Sequence, residues 1–297
     1  MAKYQDNLNS YCYVKTIAVF TDFSEQSTHA AQYAMHMVKM LKADIALFYA
    51  CLSPEIKKHP LQPVISGGEN WETGFEETDS LLEMGSKLAR EFEQRNFPGT
   101  LMPQINCDIE NQGISDAMST IMGNDDVGLI IVGLPEDTDM ATFVLSSNCQ
   151  KIIDWAYVPV LIVPGNTPLK NPEKVAFLAN FDDNDTTHIN ALLNIVRNFS
   201  ADIMASNINA EVVDLEAKEK QLLASFHDDV DYGKIYYRNN TESKQTREWN
   251  WLKAHKKCDM LTIIKQSRQS LKHFFNRANT PGAIYHLTIP LMILPEL

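Results

Sequence analysis

One short stretch, residues 132–148, combines the residue types that bind a phosphate group. Its sequence, VGLPEDTDMATFVLSSN, starts in an apolar run, reaches Gly133 and ends with Ser146 and Ser147. Glycine lets a backbone approach a ligand closely, and a hydroxyl residue that opens a helix lies beside N–H groups that attract anions. The stretch is therefore either a phosphate-binding loop or the remnant of one.

The elements around this loop alternate between apolar runs and helical patterns. The runs that we interpret as strands are TIAVF, DIALFYA, MPQINCDI, VGLIIV and VPVLIVP. Between the first two, Ser24 is a predicted helix cap, and apolar residues follow it at helical spacing, namely Ala30, Ala34, Met37, Val38 and Leu41. This alternation predicts an α/β, doubly wound domain whose ligand site lies at the carboxyl ends of parallel strands.

The second half of the chain repeats the first. Residues 15–24, KTIAVFTDFS, match residues 173–182, EKVAFLANFD, at an offset of 158 positions. Residues 158–164, VPVLIVP, match residues 289–295, IPLMILP, at an offset of 131 positions. Because a repeated strand and helix pattern indicates a repeated fold, we expect two related domains.

The proline-rich stretch PGNTPLKNPEK suits an extended connection between these domains. We predict an N-terminal tail at 1–13, a first domain at 14–166, a linker at 167–173 and a second, shorter domain at 174–297. The second copy lacks 27 residues, which leaves an extra segment in the first half at about 52–91. Proline and glycine without sustained periodicity predict that part of this segment is mobile.

The strand and helix sequences resemble the universal stress protein family. The resemblance rests on KTIAVFTDFSEQSTHAAQYAMHMVKMLKADIALFYA, a later GLIIVG, a long loop to SS, and VPVLIVP as the final strand, with a weaker copy in the second half. It implies a tandem member with two Rossmann-like domains of the adenine nucleotide alpha hydrolase type. Each domain is expected to contain a five-stranded parallel sheet of order 3-2-1-4-5.

The resemblance also implies that the two domains pair about a pseudo-two-fold axis through their last strands. Both strands are apolar at almost every position, and such edges promote aggregation unless they are covered. We expect Val160 and Leu291 near the centre of this seam. The full predicted seam consists of Val158, Val160, Ile162, Ile289, Leu291 and Ile293.

Family members that bind ATP share a loop of Gly-x-x-Gly, nine residues, then Gly and Ser or Thr. Here Gly133 matches the first glycine and Ser147 the final hydroxyl, but Glu136 and Ser146 stand at the other two glycine positions. A side chain in a glycine-only conformation costs roughly 1–3 kcal/mol, and a carboxylate near a phosphate costs about 1 kcal/mol. Two further aspartates lie in the same loop, so we expect it to hold no triphosphate.

Two residues of the candidate site have alternative explanations. Asp22 matches the family's nucleotide-contacting aspartate, but a carboxylate between a strand and a helix is equally common as a turn residue. Ser147 and Gln150 have the spacing of a capping box, in which Ser147 is the helix cap and no ligand is needed. If ATP does bind, its site residues are expected to be Asp22, Gly133, Ser146 and Ser147.

In the second half, every corresponding position has changed. Ile264, Ser267, Arg277 and Ala278 replace the loop residues, and Asn180 replaces the aspartate. The segment 265–277 is basic instead, with Lys265, Arg268, Lys272, His273 and Arg277. We interpret it as a solvated charged face, and a small anion site or a landing patch for an acidic partner is the alternative.

Composition and charge argue against several classes of protein. A net charge of −12 and a pI near 5.1 would repel a phosphate backbone, so nucleic acid is not an expected partner. Five cysteines without a CxxC pair suit a reducing compartment, and the lack of a signal-peptide pattern or a long apolar run predicts a cytoplasmic protein with no membrane partner. No histidine spacing specifies a metal, and no nucleophile motif indicates catalysis.

Two functions remain. The first is a non-enzymatic stress-response or regulatory protein that acts through protein or small-ligand contacts and needs no cofactor. The second is an ATP-binding module, with slow hydrolysis at most, that uses only the first domain. We favour the first function, with intrachain pairing of the domains and an unidentified protein partner, and a homodimer remains open.

Overall fold

The computed structural model describes residues 14–50, 73–95, 101–108, 113–135, 138–179, 185–207, 232–237, 258–265, 271–272, 275 and 289–296. Within these ranges the strands are β1 (Thr16–Thr21), β2 (Asp44–Tyr49), β3 (Ile105–Asp108), β4 (Val127–Leu134), β5 (Val160–Pro164), β6 (Lys174–Ala179), β7 (Asp202–Asn207), β8 (Ile235–Tyr237), β9 (Met260–Ile264) and β10 (Leu291–Leu294). The α-helices are α1 (Glu25–Leu41), α2 (Thr73–Arg95), α3 (Ile114–Met122), α4 (Met140–Val144), α5 (Ser147–Trp155) and α6 (Asp185–Val196). Strands and helices alternate, which confirms the α/β class.

These strands form one sheet, in the order β3-β2-β1-β4-β5-β10-β9-β6-β7-β8. Neighbouring strands run parallel except β5 and β10, which meet antiparallel in the middle of the sheet. Continuous apolar runs such as that of β4 are buried on both faces, as expected for parallel strands between helices.

Helices cover both faces of the sheet because successive strand residues point to opposite sides. Along β1, Ile17 and Val19 pack with buried side chains of α1, α2 and α6. Ala18 and Phe20 pack with buried side chains of α3, α4 and α5. Each core also contains strand residues from both halves of the chain, so both cores continue across the β5–β10 boundary.

Local chemistry determines where α1 begins and ends. The Oγ of Ser24 accepts a hydrogen bond from the N–H of Ser27, which confirms Ser24 as the cap. The helix ends at Leu41 and is capped by Lys42, which has a left-handed backbone (φ 55°) and donates its N–H to the carbonyl oxygen of Val38. The predicted apolar face is buried, with Ala30, Ala34, Met37, Val38 and Leu41.

The antiparallel seam consists of three residue pairs between β5 and β10. Leu161 pairs with Met292 at the centre, and Val160 and Leu291 each lie one position from it. The six predicted seam residues all pack into the core that contains α3, α4 and α5. The other sides of the two strands face the core of α1, α2 and α6, so the seam is buried on both faces.

The connection between the two halves is attached to both of them. A ring nitrogen of His29 lies 2.8 Å from the carbonyl oxygen of Thr167. The carboxylate of Asp259, directly before β9, accepts hydrogen bonds from the Lys170 ammonium at 2.9 Å and from two successive backbone N–H groups, beginning at Glu173, at 3.0 Å. The connection is therefore held by α1 on one side and by the second half on the other.

Two expectations about segments concern residues outside those described. The predicted tail at 1–13 and residues 52–72 of the extra segment lie there, so their expected properties stay predictions. Residues 73–91 of that segment belong to α2 and are not part of an irregular insertion. Over the described part of the chain, the helices are all too short or too polar to cross a membrane.

Candidate functional site

The candidate site lies at the carboxyl ends of β1 and β4, which are neighbours in the sheet. Phe20 of β1 pairs with Val132 of β4, so Asp22 and Gly133, which follow them, reach the same edge. Asp22 directly follows β1, and Gly133 is the second-last residue of β4. The structure thus brings together these two residues, 111 positions apart in the sequence.

A group of short polar side chains organises the turn after β1. The Oδ1 of Asp22 accepts a hydrogen bond from the N–H of Ser24 at 3.1 Å, and the Oγ atoms of Thr21 and Ser27 lie 3.1 Å apart in a buried contact. Phe23, which lies between Asp22 and Ser24, adopts a left-handed backbone with φ 62°. Asp22 therefore has a structural task as a turn residue, whether or not a ligand contacts it.

Gly133 is required by the packing of α1. A Cβ at this position would lie 2.6 Å from the carbonyl oxygen and 2.8 Å from the carbonyl carbon of Gln26, and 3.0 Å from the Cα of Ser27. These are backbone atoms of the first turn of α1, which cannot move independently of the helix. The glycine at the end of β4 therefore permits a close helix–strand contact and does not need a phosphate to explain it.

Helix α4 occupies the middle of the loop. Its cap is Asp139, whose carboxylate accepts hydrogen bonds from the backbone N–H of Thr142 at 3.0 Å and from the Thr142 hydroxyl at 2.7 Å. Partial burial alone would raise the pKa of Asp139, but these hydrogen bonds outweigh it and hold the pKa below its ordinary value. Asp139 is therefore negatively charged at neutral pH and bound to the helix that it caps.

The predicted capping box of α5 is wrong by one residue. The cap is Ser146, which has an extended backbone (φ −64°, ψ 154°) and accepts a hydrogen bond from the N–H of Cys149 at 3.3 Å. Ser147 is the first helical residue, and its side chain is exposed. Gln150 is buried, and its amide donates to the carbonyl oxygen of Val144 at 2.8 Å. The end of α4 thus determines the start of α5, and sequence spacing alone could not show this.

The backbone of Ser146 also corrects the expected strain at the former glycine position. Its φ of −64° is ordinary for any residue, so a side chain there costs no backbone strain. Among the described residues of the loop, no φ is positive. Glu136 and Asp137 lie outside the described residues, and the prediction for them is untested.

The corresponding region of the second half is only partly described. Ile264, which takes the place of Gly133, is buried in the core at the end of β9. The ammonium of Lys265 donates to the carbonyl oxygen of Asp154 at 3.0 Å and so joins the second half to α5. Lys272 is exposed. Outside the described residues lie Asn180, Ser267, Arg268, His273, Arg277 and Ala278.

Sequence reasoning missed two features at the same sheet edge. The rings of Phe23 and Tyr49, at the ends of β1 and β2, stack with centroids 5.0 Å apart and an interplanar angle of 15°. No pattern in the sequence pairs these two residues, because their contact depends on the alignment of β1 with β2. The capping role of Asp139 could have been found, since Asp139 and Thr142 have the spacing of a cap and its N3 residue.

Redox and metal chemistry receive no support from the described part of the chain. Its cysteines, Cys107, Cys149 and Cys258, are all free, and burial raises the pKa of Cys149 far above its ordinary value and that of Cys258 to about 11. The thiols of Cys149 and Cys258 are therefore protonated at neutral pH. Among the described residues, no group of three or more His, Cys, Asp or Glu side chains is placed to hold a metal ion.

Comparisons with known proteins agree with this architecture. Among solved structures, a universal stress protein from Archaeoglobus fulgidus DSM 4304 is 9% identical, with a TM-score of 0.63 over 95% of this chain and 98% of that chain. A functionally unknown protein from Pseudomonas aeruginosa PAO1 is 12% identical, with a TM-score of 0.54 over 97% of this chain and 94% of that chain. Such low identities show a shared fold only.

The comparison with curated proteins found no match. The model of the Universal stress protein family matches residues 14–164, slightly more than half of the chain. This protein therefore belongs to the universal stress protein family.

Proposed function

We propose that the chain is a tandem universal stress protein in which two family domains pair about a pseudo-two-fold axis. The repeat offsets support this proposal. Met292 lies 131 positions after Leu161, and these two residues form the central pair of the seam. The same offset relates Val160 to Leu291 and Ile162 to Ile293. In the seam the pairing is crossed: Val160 pairs with Ile293, and Ile162 pairs with Leu291. Such a reciprocal pattern is what a two-fold axis between two copies produces.

We further propose that this protein acts without ATP, as a non-enzymatic stress-response or regulatory protein that works through protein or small-ligand contacts. One observation carries the proposal: at the start of each helix in the loop, a side chain of the chain itself occupies a backbone N–H group that a phosphate could otherwise bind. Asp139 binds the N–H of Thr142, and Ser146 binds the N–H of Cys149. A phosphate would have to displace both side chains and would also meet the negative charge of Asp139.

The nucleotide content of freshly purified protein tests this proposal. The protein is denatured, and the released small molecules are separated and quantified by their absorbance at 260 nm. We expect less than about one released nucleotide per ten protein chains, since a weakly bound nucleotide dissociates during purification. A stoichiometric amount of adenine nucleotide would refute the proposal.

The alternative function, ATP binding by the first half alone, is favoured by one observation. Asp22 and Gly133, two of the three residues that match the family's nucleotide site without change, lie at neighbouring strand ends. If this alternative holds, the Asp22→Ala variant should lose the bound nucleotide. The Asp44→Ala variant should retain it, because Asp44 lies at the start of β2, at the opposite edge of the sheet from the candidate site. The content measurement on these two variants therefore separates the functions.

A further inference from the structure

A second candidate site lies between α1 and α2, away from the loop described above. The loop adjoins the first turn of α1, whereas this cleft of about 290 Å³ adjoins the C-terminal halves of both helices. From α1 it is lined by Gln32, Met35, His36 and Lys39, whose spacing of three, four and seven places them on one helix face. Leu169, from the connection between the halves, closes one side.

The second wall has the same spacing on α2. It consists of Leu88, Glu91, Phe92 and Arg95. Leu88 and Phe92 are almost completely buried and continue into the core, while Glu91 and Arg95 reach the rim. The cleft therefore has an apolar floor and a polar, charged rim, as small-molecule sites commonly do.

The rim carries an excess of positive charge in a chain whose net charge is −12. The carboxylate of Glu91 is already engaged, because its Oε2 accepts a hydrogen bond from Gln32 Nε2 at 3.0 Å and lies 3.7 Å from Arg95 Nη2. Within the described residues, the ammonium of Lys39 has no ion-pair partner. Burial together with the charges of Lys39 and Arg95 lowers the pKa of His36, so His36 is neutral at pH 7. Two cations and one carboxylate leave one net positive charge.

We propose that this cleft binds a small amphipathic carboxylate, with the anionic head beside Lys39 and Arg95 and the apolar body over Met35, Leu88 and Phe92. A single net positive charge matches a monoanion better than a phosphate dianion. If each non-hydrogen atom needs roughly the 30 Å³ that a water molecule occupies, 290 Å³ holds about ten such atoms. Octanoate has that size, and it is the probe used in the test.

Isothermal titration calorimetry of the full chain with octanoate tests the site. We expect saturable binding with one octanoate per chain, and binding of uncharged octan-1-ol at least about tenfold weaker, because the head group loses its charge-assisted contacts. The double variant Lys39→Gln/Arg95→Gln should bind octanoate at least about tenfold more weakly than the natural chain.

A matched double variant, Lys87→Gln/Arg90→Gln, removes the same charge from exposed positions of α2 that do not line the cleft. It should bind octanoate within about twofold of the natural chain, since neither exposed side chain lines the cleft and solvent and salt weaken the effect of exposed charges. The proposal is overturned if the natural chain does not bind octanoate or if octan-1-ol binds equally well. It is also overturned if the control variant loses as much affinity as the cleft variant.

Discussion

Single polar residues in the loop after β4 and in the first turn of α5 complete the ends of α4 and α5. Asp139 caps α4, Ser146 caps α5, and Gln150 satisfies the carbonyl oxygen of Val144 at the end of α4. Without these three side chains, a backbone N–H at the start of each helix and a carbonyl oxygen at the end of α4 would lose a hydrogen-bond partner. Gly133 and Ser146, two of the residues that suggest a phosphate site in the sequence, thus have structural tasks that require no ligand.

The two adjacent serines should differ in their effect on stability. Ser146→Ala removes the cap of α5 and should lower the free energy of unfolding by about 1 kcal/mol. Ser147→Ala changes an exposed first-turn residue and should cost far less, because alanine is a good helix former. Urea denaturation of both variants measures the difference, and equal losses would contradict Ser146 as the cap.

Gly133→Ala should destabilise the protein by about 1–3 kcal/mol, because the new Cβ would overlap backbone atoms of Gln26. Gly165→Ala is the matched control. Its Cβ would lie 3.2 Å from the Cγ of the same Gln26, a side-chain atom that can rotate away. Thermal unfolding of both variants provides the measurement. If Gly133→Ala is as stable as Gly165→Ala, the first turn of α1 does not restrict this position.

The sequence predicted some of these residues better than others, for physical reasons. Ser24 was identifiable because one cap residue precedes a long apolar periodicity. Ser146 was not distinguishable from Ser147, since either hydroxyl can cap a helix and the choice depends on where α4 ends. The need for glycine at position 133 could not be predicted, because it comes from the close contact of α1 with β4, which joins residues far apart in the chain.

At the scale of elements, the strands were more predictable than their connections. Uninterrupted apolar runs such as that of β4 indicate strands that are buried on both faces, and the structure places strands at all five predicted runs of the first half. The start of α2 at Thr73 was not evident, because its first turns follow a stretch rich in glycine and proline. The cleft between α1 and α2 requires the packing of two helices and Leu169, which no local pattern specifies.

The connection between the halves should depend on Asp259 in a pH-dependent way. Partial burial alone would raise the pKa of Asp259, but hydrogen bonds from Lys170 and the backbone of Glu173 and Lys174 outweigh it and lower the pKa. A lowered pKa in the folded state means that the ionised carboxylate stabilises the fold at neutral pH. This stabilisation is lost as the pH falls from about 4 through the folded-state pKa.

We therefore expect Asp259→Asn to lower the free energy of unfolding by about 1–3 kcal/mol at pH 7 and by less at pH 3. Asp154→Asn is the control, because the Asp154 side chain is 61% exposed and should contribute little at either pH. Urea denaturation at the two pH values tests this expectation. If Asp259→Asn lowers the free energy of unfolding by the same amount at both pH values, the negative charge of Asp259 is not what stabilises the connection.

The seam between β5 and β10 should not tolerate a buried charge. Val160 is 1% exposed, and Val160→Lys would place an ammonium in an apolar core at a cost of at least about 3 kcal/mol. Tyr157→Lys introduces the same group three residues earlier, where the side chain is 60% exposed. Calorimetry should show a large decrease in the melting temperature for Val160→Lys and only a small change in the melting temperature for Tyr157→Lys. Similar melting temperatures would argue against a buried seam.

At the scale of the whole molecule, one continuous ten-stranded sheet joins the two halves. Both hydrophobic cores extend across the seam, and the connection is fixed by contacts to each half. We expect the chain to unfold as one cooperative unit, since neither half could separate without exposing apolar strand edges.

The central claim, that the loop after β4 holds no triphosphate, is tested most directly by the melting temperature of the natural chain with and without 2 mM ATP and magnesium. A ligand stabilises the folded state by RT ln(1 + [L]/Kd), so a dissociation constant of about 10 mM or more adds only about 0.1 kcal/mol. We therefore predict a shift of less than about 1 °C. A shift of several degrees, which corresponds to a dissociation constant on the order of 10 μM, would contradict the account and favour ATP binding by the first half.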